Sequence, residues 1–282
     1  MKQLIFLSLF LFSSMVHAEQ FQAPLTNTQW QVVESPIECI LSQPIDGFGE
    51  AKFMRRSGEN FSLVFTTKSH PATQSNAHFE IAQAPWQNSE ERLPLMSIPT
   101  DKNQMEFVLN GDLAKQALTH IQEGQFPTLR YTSHSASEEI NVLFSTVHLT
   151  DSMPAFQQCL ENLHPDTFED IRKLTVYFGL EQAKLSDNAQ ASLTRIADYI
   201  KVDDSIKQVA INAYTDNHGR KRLNIELSEA RAIAIKNFFV QQAELPESLI
   251  TTAFHREFNP SKSNKTKLGR AHNRRAEIEV FK

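Results

Sequence analysis

Asp216 and Arg231 are the residues whose types and spacing suggest chemistry. Asp216 sits in the polar turn Thr215-Asp216-Asn217-His218-Gly219, directly after the alternating apolar residues Val209, Ile211 and Ala213. Arg231 lies on the amphipathic stretch that follows. A carboxylate accepts an ammonium, and a guanidinium offers a planar fork of donors that matches a carboxylate. Together they could clamp a zwitterionic amino-acid group. They could equally form a plain salt bridge tying the turn to its helix, and spacing alone leaves both readings open.

The elements that must position this pair can be read around it. On a helix over 223–238, Leu223, Leu227, Ala230, Ala234 and Phe238 share a stripe that is expected to face a sheet. Asn224, Ser228 and Arg231 follow one position further round, as a polar rim. The helix is expected to run to about Ala243, ahead of Pro246. Upstream, Leu174 to Phe178 reads as a strand, and Ser186 caps a helix with Ala189, Leu193, Ile196, Ala197 and Ile200 on one face. Ile250 to Phe258 and Ala276 to Phe281 supply further strands. The order β-α-β-α-β-β predicts an α+β sandwich with helices on one face of a sheet.

Before Asp166 the pattern changes to period two. Phe61, Leu63 and Phe65 alternate, as do Met105, Phe107 and Leu109, and the runs Phe126 to Thr132 and Ile140 to Leu149 read as further strands. Turn signals recur at Asp46-Gly47, Ser57-Gly58 and Asn110-Gly111. A single helix interrupts them, with Leu113, Ala117, Leu118 and Ile121 on one face and Asp112 as its expected N-cap. Phe156, Cys159, Leu160 and Leu163 then recur at helical spacing. This is a β-rich N-terminal domain, and 20 Phe against two Trp and four Tyr favour packed β structure over a sugar-stacking surface.

Residues 1–18 combine Lys2, an apolar run from Leu4 to Phe12 and the ending Val16-His17-Ala18, the pattern of a secretory signal peptide cleaved after Ala18. The run is too short for the roughly 20 residues of a membrane span. Cys39 and Cys159 follow it. In an oxidising compartment such a pair forms one disulfide, the alternative being two buried thiols. The domains read as 19–163, β-rich and closed by a Cys39–Cys159 bridge; a polar linker at 164–170; and 171–282. The net charge of −5 is uneven, with 19 Lys+Arg against 16 Asp+Glu from Asp166 onward and nine against 17 before it. Neither part carries the clustered basic face that nucleic acid requires. The histidines lack metal-site spacing, no G-x-S-x-G stretch is present, and no second catalytic group accompanies His218, so an enzyme and a cofactor are not expected.

The spacing T-D-x-x-G-x-x-x-x-N-x-x-L-S-x-x-R-A is met by Thr215, Asp216, Gly219, Asn224, Leu227, Ser228, Arg231 and Ala232. A second motif, G-R-x-x-N-R-R-x-E, is met by Gly269, Arg270, Asn273, Arg274, Arg275 and Glu277. With the β-α-β-α-β-β order, these make residues 170–282 resemble the OmpA-like peptidoglycan-binding family. The resemblance implies a non-covalent ligand, the diaminopimelate of the peptidoglycan stem peptide. Asp216 and Arg231 would contact its charged end, Thr215, Leu223 and Asn224 would flank it, and Arg274 or Arg275 would close the site. Strand phase favours Arg274, which shares the side of Ala276, Ile278 and Val280. Two positions depart from the family pattern: Ala213 replaces a usual Gly, and Phe178-Gly179-Leu180-Glu181 replaces an Asp-containing loop.

The N-terminal part carries Trp30, Ser35-Pro36, Cys39, Leu41-Ser42-Gln43-Pro44, Gly47-Phe48-Gly49 and Arg55-Arg56-Ser57-Gly58-Glu59. This run is similar to the MotY family of sodium-type flagellar motors. That resemblance implies a periplasmic ring of the basal body beneath the outer membrane. It also implies a MotX-like ring protein and the flagellar stator proteins as partners. The alternatives are a wall tether for a different envelope complex and a cell-wall hydrolase. Arg55-Arg56 reads either as a charged hairpin end or as a partner contact.

Overall fold

The computed structural model describes residues 18–26, 28–87, 89–133 and 139–282. The expected signal peptide, except for Ala18, lies outside them. The chain forms two compact units, the first ending at Glu161 and the second spanning Asn162–Lys282.

The first unit contains strands β1 (Ala18–Gln22), β2 (Gln31–Ser35), β3 (Glu38–Ile45), β4 (Gly49–Arg56), β5 (Ser62–Thr67), β6 (Asn76–Ala82), β7 (Arg92–Pro99) and β8 (Glu106–Asn110). Helix α1 (Asp112–Gln122), strands β9 (Phe126–Thr132) and β10 (Glu139–Leu143) and helix α2 (Leu149–Glu161) complete it. They form two five-stranded sheets, ordered β1-β10-β9-β6-β7 and β2-β3-β4-β5-β8. The alternating Phe residues supply the core between them: Phe65 meets Phe79 at 6.1 Å, and Phe107 meets Tyr131 at 4.5 Å between ring centroids. Cys39, at the start of β3, is bonded to Cys159 on α2.

Three local expectations are corrected here. Asp112 is the first residue of α1, not its cap; Gly111 occupies the cap with φ 69°, and no side chain caps the helix. Strand β10 stops at Leu143, because the Gln43 amide takes over the backbone beyond it. Gln43 Nε2 donates to Ser145 O at 3.1 Å, and Gln43 Oε1 accepts from Ser145 N at 3.0 Å. Leu149 consequently opens a helix rather than ending a strand. At the end of β4, Arg56 pairs with Glu38 across β3 at 2.6 Å, while Arg55 stays exposed.

One buried charge sits on the first sheet. Glu80 is 7% exposed and accepts from Arg130 at 2.9 Å and Arg92 at 3.3 Å. Burial acts to raise its pKa, but the hydrogen bond and charge of Arg130, with Arg92 and His78, bring it below the usual 4.5. A carboxyl depressed in the folded state stabilises it fully above the unfolded pKa and loses that contribution as pH falls through the folded pKa. The melting temperature of the first unit should therefore drop as the pH falls below 4.5. Glu80→Gln should remove part of that acid sensitivity; parallel acid profiles for the two proteins would exclude the role.

The second unit contains α3 (Phe168–Ile171), β11 (Lys173–Tyr177), α4 (Asp187–Val202), β12 (Gln208–Ala213), α5 (Lys221–Asn237), β13 (Ile250–Phe254), α6 (Lys267–Asn273) and β14 (Arg275–Phe281). Its sheet is ordered β11-β14-β12-β13, with β12 and β13 parallel. Ser186 accepts from Ala189 N and so caps α4. Residues 164–170 are fastened to this unit: Asp166 pairs with Arg195 on α4, and Thr167 and Asp170 form a reciprocal capping box on α3. Pairing of Tyr177 with Arg275 and of Ala213 with Ala276 sets the register. It brings the C-terminal ends of β11 and β12 beside the N-terminal end of β14. Every loop that bears a candidate residue therefore opens at one edge of the sheet.

Candidate functional site

The turn after β12 is built by Asp216 itself. Its Oδ1 accepts from the His218 backbone N–H at 3.0 Å, an arrangement that lets a short polar side chain replace a backbone turn bond. Asn224 Nδ2 donates to Asp216 O at 3.4 Å and holds the turn against the first turn of α5. Gly219 takes φ +94°, a left-handed conformation that favours glycine.

Helix α5 is rotated by one position from the sequence expectation. Asn224, Ser228, Arg231, Ala232 and Ile235 are buried, whereas Leu223 is 55% exposed. The polar rim faces inward because its members find acceptors there. Ser228 Oγ donates to Asn224 O at 2.8 Å. Arg231, fully buried, donates from Nε to Gln182 O at 3.0 Å, from Nη1 to Tyr214 O at 2.8 Å and from Nη2 to Gly179 O at 3.2 Å. Its guanidinium also lies 5.1 Å from the Phe178 ring centroid. The helix ends at Asn237 and continues as one wider π-turn, Phe238–Gln242.

Asp216 and Arg231 do not form the plain salt bridge considered above. Asp216 Oδ2 instead accepts from Arg274 Nη1 at 3.1 Å, with both side chains largely buried. Arg274 caps the C-terminus of α6 and also donates from Nε to Phe178 O at 3.2 Å. Arg275 points elsewhere: it lies 3.9 Å over the Tyr214 ring and donates to Glu277 and to Asn259 O.

Thr215, Asp216, Leu223, Asn224, Arg231 and Arg274 thus line one cavity of about 420 Å³, and Arg275 does not reach it. Leu180 from the loop after β11 adds an apolar wall together with Leu227 and Ala230, the two that the helical phase had turned toward the sheet. His218 borders the same cavity. Thr215 Oγ1 is buried there without a hydrogen-bond partner. Burial lowers the pKa of Arg231 to about 10; nearby Arg274 pushes the same way, while Asp216 opposes both. The guanidinium stays charged at neutral pH, held against desolvation. The buried Asp216 stands beside both guanidiniums, and Glu181 and Glu226 also line the cavity, so it holds donors suited to a carboxylate next to acceptors suited to an ammonium.

The second motif is chiefly scaffold. Asn273, fully buried, donates to Lys262 O and Asn264 Oδ1, each at 2.8 Å, and Asn264 Oδ1 in turn accepts from Asn217 N. Arg270 Nη1 donates to Asn264 O at 2.9 Å. A Cβ on Gly269 would lie 1.9 Å from Ser263 O, so only glycine allows α6 to approach this loop. Helix α6 escaped the sequence reading because its seven residues are too few to show a periodicity. The described residues include no cluster of three or more His, Cys, Asp or Glu suited to a metal, and no helix long and apolar enough to cross a membrane.

An α+β module with a dipolar cavity at one edge of its sheet is the class that this unit defines, and residues 177–274 match the OmpA family. Residues 21–165 match the MotY N-terminal domain, and the chain belongs to that family. The sodium-type flagellar protein MotY of Vibrio parahaemolyticus is 28% identical over 269 residues, 94% of this chain and 91% of that protein. The peptidoglycan-binding protein ArfA of Mycobacterium tuberculosis is 37% identical over 105 residues, 37% of this chain and 32% of that protein. Among solved structures, the cell wall anchor of the T6SS from Pseudomonas aeruginosa is 29% identical, with a TM-score of 0.34 over 39% of this chain and 80% of that one.

Proposed function

We propose that the second unit binds peptidoglycan non-covalently by clamping the free zwitterionic end of diaminopimelate in the stem peptide. Asp216 takes the ammonium, and Arg231 and Arg274 take the carboxylate. Thr215 and Asn224 border the polar end, and Leu223 packs on the methylenes. The observation that carries this reading is the buried Asp216 carboxylate beside the Arg231 and Arg274 guanidiniums in a single cavity of about 420 Å³, which Glu181 and Glu226 also line. Residues 19–163 join the periplasmic basal-body ring of a sodium-type flagellar motor beneath the outer membrane, with a MotX-like ring protein and the stator proteins as partners. Residues 171–282 tie that ring to the wall, and 164–170 connect the two parts. The protein is a structural anchor with no catalytic step.

Retention on purified sacculi tests the clamp. Asp216→Asn keeps the side chain's size and its acceptor for His218 N, but removes the charge from a site where it is 4% exposed. Loss of one partner of a buried charged contact costs about 2–5 kcal/mol. Apparent affinity should fall by about 30-fold or more, read at a temperature where the variant is still folded, because losing the charge opposite Arg274 also lowers the stability of this unit. Undiminished retention would eliminate the clamp, and soluble muropeptides released from the sacculi would overturn the non-catalytic reading. Loss of the gene should stop swimming while filaments still assemble; normal swimming would point to another envelope complex.

A further inference from the structure

A second, smaller cavity of about 210 Å³ lies on the other side of Arg274 and is lined by Tyr177, Phe178, Ala271, His272 and Arg274. Arg274 therefore stands between two hollows, with Nη1 on Asp216 and Nε on Phe178 O. Tyr177 ends β11 and is 52% exposed. Its ring is nonetheless held in place, with the His272 ring at 5.5 Å and 87° to it. His272 is fixed in turn through α6, whose close approach at Gly269 anchors the helix. An exposed but positioned aromatic beside a charged ligand cavity is not needed for the core, since Tyr177 faces away from it. An aromatic face of this kind fits a ligand with one apolar surface and a polar periphery.

We infer that this hollow is a sugar subsite, in which the Tyr177 ring stacks on the C–H face of a pyranose of the glycan chain. The inference rests on the diaminopimelate reading of the neighbouring cavity. In a stem peptide two residues separate diaminopimelate from the sugar, a span of about 7 Å at the usual extended rise. Because Arg274 lines both hollows, a ligand whose zwitterionic end fills the first would run past it toward Tyr177. The composition favours packed β structure over a sugar-stacking surface, and the subsite departs from that reading at a single ring, Tyr177, which suffices for one sugar.

The experiment compares two probes on the full chain by calorimetry: the tripeptide L-Ala-γ-D-Glu-diaminopimelate, and the same tripeptide carrying the N-acetylglucosamine–N-acetylmuramic acid disaccharide. The wild-type protein should bind the disaccharide form about 2- to 10-fold more tightly, the range of one aromatic contact. Tyr177→Ala should erase that difference and leave tripeptide affinity unchanged, while Tyr177→Phe should preserve it. Equal affinities in the wild type, or a difference that survives Tyr177→Ala, would overturn the sugar subsite and leave the clamp standing. Failure of both probes to bind the wild-type protein would overturn the clamp and the subsite together.

Discussion

Arg231→Ala should unfold or severely weaken the second unit rather than only release its ligand. The substitution strips the donor from three backbone carbonyls, Gln182 O, Tyr214 O and Gly179 O, at a residue with no exposed surface. It also leaves a void under Phe178. An orphaned buried acceptor costs about 1–3 kcal/mol, and the two carbonyls nearer the surface recover some of this from water, so a total of about 3–5 kcal/mol is expected. Urea denaturation of the full chain should show the second unit's transition moved to markedly lower denaturant. A loss below about 1 kcal/mol would mean that the guanidinium is not structural. Arg231 thus differs from Asp216: loss of wall retention in Arg231→Ala carries no information about ligand contact unless the fold is shown to persist.

Breaking the Cys39–Cys159 bridge should have a comparable effect on the first unit. The bond closes a loop with a sequence separation of 120 residues, for which the chain-entropy account gives about 5 kcal/mol. The helix at its far end needs this support, since Pro154 lies inside α2 and removes a backbone hydrogen bond. Besides the bridge, Phe156 holds α2 through its contact with Phe61 at 6.2 Å. The double variant Cys39→Ser, Cys159→Ser should unfold at much lower urea than the wild type, and reductant should move the wild type to the same midpoint. A midpoint insensitive to both would show that α2 docks without its covalent tie.

The regular elements were legible where burial and hydrophobicity coincide. The alternating Phe strands and the capped helix α4 are of this kind, and the cysteine pair was legible from its count and compartment. Helix α5 shows where that reasoning fails. Hydrophobicity alone turned Leu223, Leu227 and Ala230 toward the sheet, yet the stripe inside is Asn224, Ser228 and Arg231, each satisfied by backbone carbonyls or by its own helix. Nothing in a helical pattern reports carbonyls presented by the loops that follow other strands. The partner of Asp216 was hidden for a similar reason. Arg274 becomes its neighbour only through the β12–β14 register, which is a tertiary fact. The aromatic hollow at Tyr177 was likewise invisible, because His272 sits on a helix too short to predict.

The Asp216–Arg274 contact gives the cavity a logic of its own. A simple cation entering it must compete with Arg274 for the carboxylate, and a simple anion must compete with Asp216 for the guanidinium. Either one alone leaves a partner stranded in a poorly hydrated place. A molecule bearing both charges at the right separation can exchange partners with the pair and strand neither. On the clamp reading proposed above, the site would act as a coincidence gate, deaf to background salt and responsive only when two opposite charges arrive together.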